Sequence, residues 1–330
     1  MPTDRRLEQL QQWINEVYPD QQGELTPASS DASFRRYFRL QSNTDSLIVM
    51  DAPPEKENSQ PFVEIGTLLE SEGLPVPHIL AHDLQQGFIL LSDLGTESYL
   101  DKLNSERVDR LYGDAMEALQ VLQICTPHEQ LPVYDAQLLQ REMQLFSDWF
   151  LAKELAISLD QGAKKIIQNS FDQLSEAALQ QPRCFVHRDF HSRNLMFNTE
   201  HNPGIIDFQD AVSGPITYDL VSLLKDCYIR WPRDQVIEWV KNFQKQWFHS
   251  SGIEVPREQY LRWFDLMGMQ RHLKAIGIFA RLNHRDGKSG YLKDIPRTFA
   301  YILEVCEIYP ELQSFAQLMH ELKIEEKLSK

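Results

Sequence analysis

The chain has 330 residues, 42% of them hydrophobic, and a formal net charge of −15 at pH 7. That length has room for one large domain or two lobes around a buried core. The acidic balance argues against a nucleic-acid partner or an anionic membrane surface, each of which calls for a basic face. Cys125, Cys184, Cys227 and Cys306 show no C-x-x-C spacing. That speaks against a zinc site or a disulfide framework and suits a reducing compartment. The first ten residues are polar and charged, without the apolar segment of a signal peptide. No run of about 18 apolar residues follows. The expectation is a cytoplasmic protein without a membrane anchor, and a monomer.

In chain order, Leu7, Leu10, Ile14 and Val17 recur at helical spacing and predict a short amphipathic helix at the start. Strand-like pieces follow at Phe34 to Leu40, Ser46 to Met50 and Gly87 to Leu91. Before the last of these lies a helix that opens at Pro61, a favoured first-turn residue, and stops at Gly73. Leu91 to Gly95 reads as a hinge. After Ser105 the pattern turns helical. Val108, Leu111, Ala115, Leu119 and Leu122 mark one helix, Leu139, Phe146 and Phe150 another, and Ile166, Ile167, Phe171 and Leu174 a third. Short strands interrupt at Cys184 to His187, Leu195 to Phe197 and Gly204 to Asp207, and helices resume to the end. A small mixed lobe followed by a large helical one predicts an α+β, bilobal arrangement with a cleft.

The most informative stretch is His187-Arg188-Asp189-Phe190-His191-Ser192-Arg193-Asn194. It fits H-R-D-x-x-x-x-N, the catalytic-loop pattern of protein-kinase-like phosphotransferases. Asp207-Phe208 closes an apolar strand 18 residues after Asp189. Phosphoryl transfer needs the γ-phosphate and the acceptor hydroxyl aligned and the charge neutralised by metal. Asp189 can accept the acceptor's proton. Asn194 can turn its amide oxygen to Mg²⁺, and Asp207 supplies a hard oxygen ligand. Asp, Asn and His also serve as ordinary turn residues. Two filled motifs between apolar strands favour catalysis over that reading. His187 and His191 have no cysteine partners at zinc spacing, and packing within the loop accounts for them better.

With Ile206-Asp207-Phe208-Gln209-Asp210-Ala211 in place of Asp-Phe-Gly, and Pro215 followed by Tyr218-Asp219-Leu220, the chain resembles the aminoglycoside phosphotransferase and choline kinase branch of kinase-like enzymes. The resemblance implies a bilobal protein-kinase-like fold. Residues 1–94 would form a small N-lobe with an antiparallel sheet, and residues 95–330 a large, mainly helical C-lobe. It also implies ATP and Mg²⁺. Asp219 would support the site from a helix start, or would serve only as an N-cap. Aligning on Gly73-Leu74-Pro75-Val76-Pro77 places Glu64 where that branch has a helix glutamate paired with a strand lysine. Leu47 to Asp51 contains no lysine, and Met50 or Asp51 stands near its place. Ser29, Ser30 and Ser33, in a phosphate-covering loop from Ala28 to Ser33, would meet the phosphates. Arg35 or Arg36 would replace the missing charge, and the backbone of Asp93 and Leu94 would meet the adenine edge.

Arg271, Lys274 and Arg281 recur on one face of an otherwise apolar helical run. Cations on a buried helix need partners, either structural carboxylates or an anionic acceptor. This run, with Ser29 to Tyr37 and Met50-Asp51-Ala52-Pro53-Pro54, is similar to a narrower group, the bacterial N-acetylmuramate/N-acetylglucosamine kinases of cell-wall recycling. The likeness implies an amino-sugar acceptor phosphorylated at its anomeric hydroxyl. Arg271, Lys274 and Asp210 would then lie on the acceptor side. Two readings compete with it. A kinase of choline or an aminoglycoside would want a carboxylate-rich pocket for a cationic acceptor. A pseudokinase would explain the missing lysine but not the retention of Asp189, Asn194 and Asp207.

Overall fold

The computed structural model describes residues 4–19, 23–30, 34–41, 46–199 and 201–329. The elements run α1 (Arg5–Val17), β1 (Leu25–Ser30), β2 (Arg36–Gln41), β3 (Ser46–Asp51), α2 (Gln60–Ser71), β4 (Ile79–Asp83), β5 (Phe88–Ser92) and α3 (Tyr99–Lys102). They continue with α4 (Val108–Ile124), α5 (Ala136–Leu145) with a π-helical extension over Phe146–Glu154, α6 (Gln161–Leu179), β6 (Arg183–Val186), β7 (Leu195–Met196), β8 (Gly204–Ile205) and β9 (Val212–Pro215). The chain closes with α7 (Tyr218–Leu224), α8 (Arg233–Ser251), α9 (Arg257–Asp286), α10 (Ile295–Ile308), α11 (Gln313–Glu321) and α12 (Ile324–Leu328). It divides into two compact units, residues 1–102 with 194–210, and residues 103–193 with 211–330. Among the described residues no helix is long and apolar enough to cross a membrane.

The first unit is built on a five-stranded antiparallel sheet in the order β1-β2-β3-β5-β4. Asp4 caps α1 by accepting from the amide of Leu7 at 3.2 Å. The helix lays Leu10, Trp13 and Ile14 against Phe38, Leu40, Leu47, Val49, Phe88 and Leu90. Strand side chains alternate, so Asp51 shares the α1 face with Leu47 and Val49. There it is fully buried and bound by two arginines, Arg6 through Nε at 2.9 Å and Arg36 through Nε at 2.9 Å. Met50 points to the opposite face. Asp51 is therefore a core ion-pair residue, and Met50 stands where a strand lysine would point away from α1. Glu64 is exposed on α2 and bonded within its own helix by Gln60 at 2.7 Å, the arrangement of an ordinary surface residue. The segment from 194 to 210 is tied into this unit by its backbone. The amide of Phe197 donates to Glu97 O at 2.8 Å and that of Ile205 to Pro75 O at 2.7 Å. Phe208 packs on Phe62 of α2 at 4.9 Å between ring centroids. Gly66 permits that approach, since a Cβ there would lie 3.2 Å from the Phe208 ring.

The second unit is organised by α9, a 30-residue helix buried around most of its circumference. A helix apolar on all sides belongs in the interior. Leu266, Met269, Leu273, Ile276, Phe279 and Ala280 share one core with residues of α6, α10, α11 and the α5 extension. At Gly277 a Cβ would come within 2.4 Å of the Leu145 carbonyl carbon, so only glycine lets α9 cross the end of α5. β6 and β9 form a buried antiparallel pair, with Phe185 opposite Ser213 and Val186 opposite Val212.

Candidate active site

In the second unit, the loop from His187 to Arg193 leaves the buried end of β6 and is fastened by buried carboxylates. Asp219, in the first turn of α7, accepts from the amide of His187 at 2.6 Å and that of Arg188 at 3.0 Å. Of the two roles open to it in the sequence, this geometry selects support of the loop over capping of α7. Asp226 accepts from the amide of Ser192 at 3.0 Å and from its hydroxyl. His187 Nδ1 accepts from the amide of Asp189 at 3.2 Å. Arg188 has φ of +77°, a conformation a non-glycine residue holds only where its surroundings enforce it. Its amide is fixed by Asp219 and its guanidinium by Glu142. Burial pushes the Asp219 carboxyl up to about 7, against the two amides, and the Asp189 charge adds to the rise. Burial also acts to raise Asp189. The surrounding charges of Lys274, His191, Arg188 and Arg271 outweigh it and hold Asp189 below the usual carboxylate range. Asp189 is thereby ionised at neutral pH, as a proton acceptor must be.

In the first unit, Asn194 and Asp207 stand side by side because β7 and β8 pair, Leu195 opposite Ile205. The amide of Ile206 donates to Asn194 O at 3.1 Å. Asn194 Nδ2 lies 3.1 Å from Asp207 Oδ2, and Gln209 Nε2 donates to Asp207 Oδ1 at 2.8 Å. Asp207 has φ of +67°, which turns its carboxylate off the strand line. No cluster of three or more His, Cys, Asp or Glu side chains that could hold a metal occurs among the described residues. A nucleotide-borne Mg²⁺ needs less, one or two hard oxygen ligands with phosphates and water for the rest. A carboxylate beside an amide that can present oxygen fits that demand.

Arg271 and Lys274 are both buried on α9, with different partners. Lys274 Nζ lies 3.4 Å from Glu142 and donates to the Tyr218 hydroxyl at 2.9 Å. Glu142 also binds Arg188 and the Tyr134 hydroxyl. Burial acts to raise Glu142, but Lys274 and Arg188 hold it below its ordinary range. Lys274 thus has a carboxylate and a hydroxyl partner within the unit, and its charge also reaches Asp189. Among the described residues Arg271 has no carboxylate within ion-pair distance; its hydrogen bond runs from Nη1 to the Cys227 thiol at 3.6 Å. Arg281 lies near the end of α9, half-buried, and burial depresses its basicity.

The remaining expected residues are placed as follows. Ser29 and Ser30 belong to β1, paired with Tyr37 and Arg36, and Ala28 is in the same strand. The expected phosphate-covering loop therefore begins later than Ala28; Ser33 lies outside the described residues. Arg35 pairs with Glu57 at 3.2 Å. The Asp93 side chain is engaged by Arg39 Nε at 2.6 Å, by Ser46 and by the amide of Gly95 at 2.9 Å, so it anchors the end of β5. Leu94 is half-buried and Asp210 is exposed. Gln209, Glu142 and Asp226 escaped the sequence reading. Gln209 lay inside a quoted motif and could have been found there. The other two act on the loop from distant positions and leave no local pattern.

A model of the "Phosphotransferase enzyme family" matches residues 24–260. The chain is 47% identical to the N-acetylmuramate/N-acetylglucosamine kinase of Pseudomonas putida, over 97% of each chain. It is 46% identical to the protein of that name in Pseudomonas aeruginosa, over 98% of each. Among solved structures it is similar to aminoglycoside phosphotransferase APH(2″)-Ib with ADP bound, at a TM-score of 0.61 and 16% identity, covering 92% of this chain and 99% of that one.

Proposed function

The chain belongs to the phosphotransferase enzyme family, and on that premise we propose that it is an ATP-dependent amino-sugar kinase that phosphorylates the anomeric hydroxyl of N-acetylmuramate and N-acetylglucosamine, in the cytoplasmic recycling of peptidoglycan. The observation that carries this reading is the end-to-end likeness to the two Pseudomonas kinases. An ionised Asp189 on a loop fastened at four of its amides supports it from the chemistry side.

The acceptor oxygen attacks the γ-phosphorus while Asp189 takes its proton. The bond from that phosphorus to the β,γ-bridging oxygen breaks, leaving ADP and the sugar 1-phosphate. Asn194 and Asp207 would hold Mg²⁺, which neutralises charge on the phosphates when bound. Gln209 keeps the Asp207 carboxylate turned. In the first unit, Arg35 with Ser29, Ser30 and Ser33 would meet the phosphates, and the backbone at Asp93 and Leu94 the adenine edge. On the acceptor side the residues are Arg271 and Asp210, while Lys274 acts through Glu142.

The test is ATP consumption with Mg²⁺ against N-acetylmuramate, N-acetylglucosamine, choline, kanamycin and no acceptor, with phosphorus NMR of the product. Amino-sugar-dependent turnover to an anomeric phosphate is expected. Asp189→Asn should lower kcat by about 10²–10⁴-fold. Turnover of choline or kanamycin alone would replace the acceptor, and full activity of Asp189→Asn would remove the base.

A further inference from the structure

The buried and half-buried cations near the core of the second unit mostly have carboxylate partners. Lys225 meets Asp265 at 3.0 Å, Arg233 meets Glu304 at 2.9 Å and Lys274 meets Glu142 at 3.4 Å. Two arginines beside the catalytic loop do not. Arg271 is 5% exposed, its Nε–H has no partner, and its one hydrogen bond goes to a thiol, a weak acceptor. Arg193 makes no hydrogen bond or ion pair among the described residues. Its guanidinium is stacked 3.7 Å from the Tyr228 ring centroid and lies 5.6 Å from that of Tyr291.

These groups converge. Arg271 touches Cys227, and Arg193 covers the adjacent Tyr228. The His191 ring sits edge-on to the same tyrosine at 5.4 Å, with its Nδ1 buried and unpartnered. Of the two carboxylates near these groups, Asp189 serves the acceptor hydroxyl, and Asp226 is occupied by Ser192 through Oδ2 and by the Tyr228 amide at 3.0 Å through Oδ1. A buried guanidinium with unmet donors calls for an oxygen anion from outside the chain. A planar fork of N–H donors matches a carboxylate. His191 and Arg193 lie two and four residues from Asp189, so the anion would belong to the molecule whose hydroxyl Asp189 serves.

We propose that Arg193 and Arg271, with His191 alongside, form a carboxylate-reading subsite for the acceptor, and that this subsite distinguishes N-acetylmuramate, which carries a lactyl carboxylate, from N-acetylglucosamine, which has none. The inference rests on the amino-sugar reading above.

The test is kcat/KM on both sugars for the wild type, Arg193→Gln, Arg271→Gln and Arg271→Lys, with a thermal melt of each. Both glutamine variants should lose about 10- to 100-fold on N-acetylmuramate, the worth of a charge-assisted hydrogen bond. The loss on N-acetylglucosamine should be small for Arg193→Gln and, for Arg271→Gln, smaller than on N-acetylmuramate but not negligible, since that arginine also faces Asp189, so that the ratio between the sugars falls in both. Arg271→Lys should recover part of the ratio. Should Arg271→Gln fail to fold, the half-buried Arg193→Gln carries the same ratio test. An unchanged ratio in Arg193→Gln and in every folded Arg271 variant overturns the subsite and leaves the kinase reading standing. A wild type that turns over neither sugar overturns both.

Discussion

Asp219→Asn separates what a buried carboxylate does for the loop from what it costs the fold. Asp219 is fully buried, and its carboxyl is pushed up to about 7 from 3.8. A rise of roughly three units corresponds to about 4 kcal/mol of penalty on the charged form, at about 1.4 kcal/mol per unit. The folded state binds this proton more tightly than the unfolded state. The stability it contributes is therefore fully present below about pH 4 and is lost as pH rises through 7. The asparagine removes that dependence. It also presents an N–H where one of two amides needs an acceptor, leaving one buried donor unmet at about 1–3 kcal/mol. Denaturant unfolding at pH 5 and at pH 8.5 should show the variant less stable than the wild type at the lower pH. At the higher pH it should be equal or more stable, with a swing of about 3 kcal/mol between the two, because part of the window between 3.8 and 7 lies below pH 5. Turnover should fall at both values, because one of the amides of His187 and Arg188 loses its acceptor and the backbone at Arg188, with φ of +77°, is held less firmly. A stability difference that is the same at pH 5 and pH 8.5 would refute the raised carboxyl. Unimpaired turnover would refute its hold on the loop.

Two further substitutions test the packing around that loop. Glu142→Gln leaves Lys274 and Arg188 buried without their counter-charge, and should cost about 3–5 kcal/mol. Adding Lys274→Met should restore part of the loss, and an additive double variant in a thermodynamic cycle would contradict the coupling. Gly277→Ala drives a methyl against the Leu145 and Phe146 backbone at 2.4–2.6 Å, so α9 must shift and the melting temperature should fall by an amount equivalent to about 1–3 kcal/mol or more. An alanine variant that melts with the wild type would mean that α9 crosses α5 less closely than described.

The sheet and the helices that carry a regular apolar repeat were legible, because burial of one face enforces the period that a sequence displays. α1 presents Leu10 and Ile14 to the core as the spacing predicts, although Val17, on the same pattern, is left 39% exposed at the helix end. Ala28 to Ser30 read as loop rather than as the end of β1 because Ser29 and Ser30 carry no apolar alternation, and Pro27 interrupts the run at an edge, where a strand tolerates it. β4 is short and lacks a fully buried residue, so periodicity had nothing to register. The choice between Met50 and Asp51 needed the identity of the face that α1 covers, a tertiary fact.

Five aspartates occur between His187 and Asp226, and a sequence shows them as equals. Their partners tell them apart. Asp219 spends its oxygens on two loop amides and Asp226 one of its own on Ser192, so both act as fasteners. Asp207 has a positive φ and is bonded by the side-chain amides of Asn194 and Gln209. Asp210 is exposed, and Asp189 alone is kept ionised by a ring of cations. The same sorting applies to the basic residues. Lys274 pairs with a buried carboxylate, whereas among the described residues Arg193 and Arg271 pair with none, which is the ground for the ligand role proposed for them. Motif spacing locates chemistry along a chain, and it is the satisfaction of each polar group that assigns the roles.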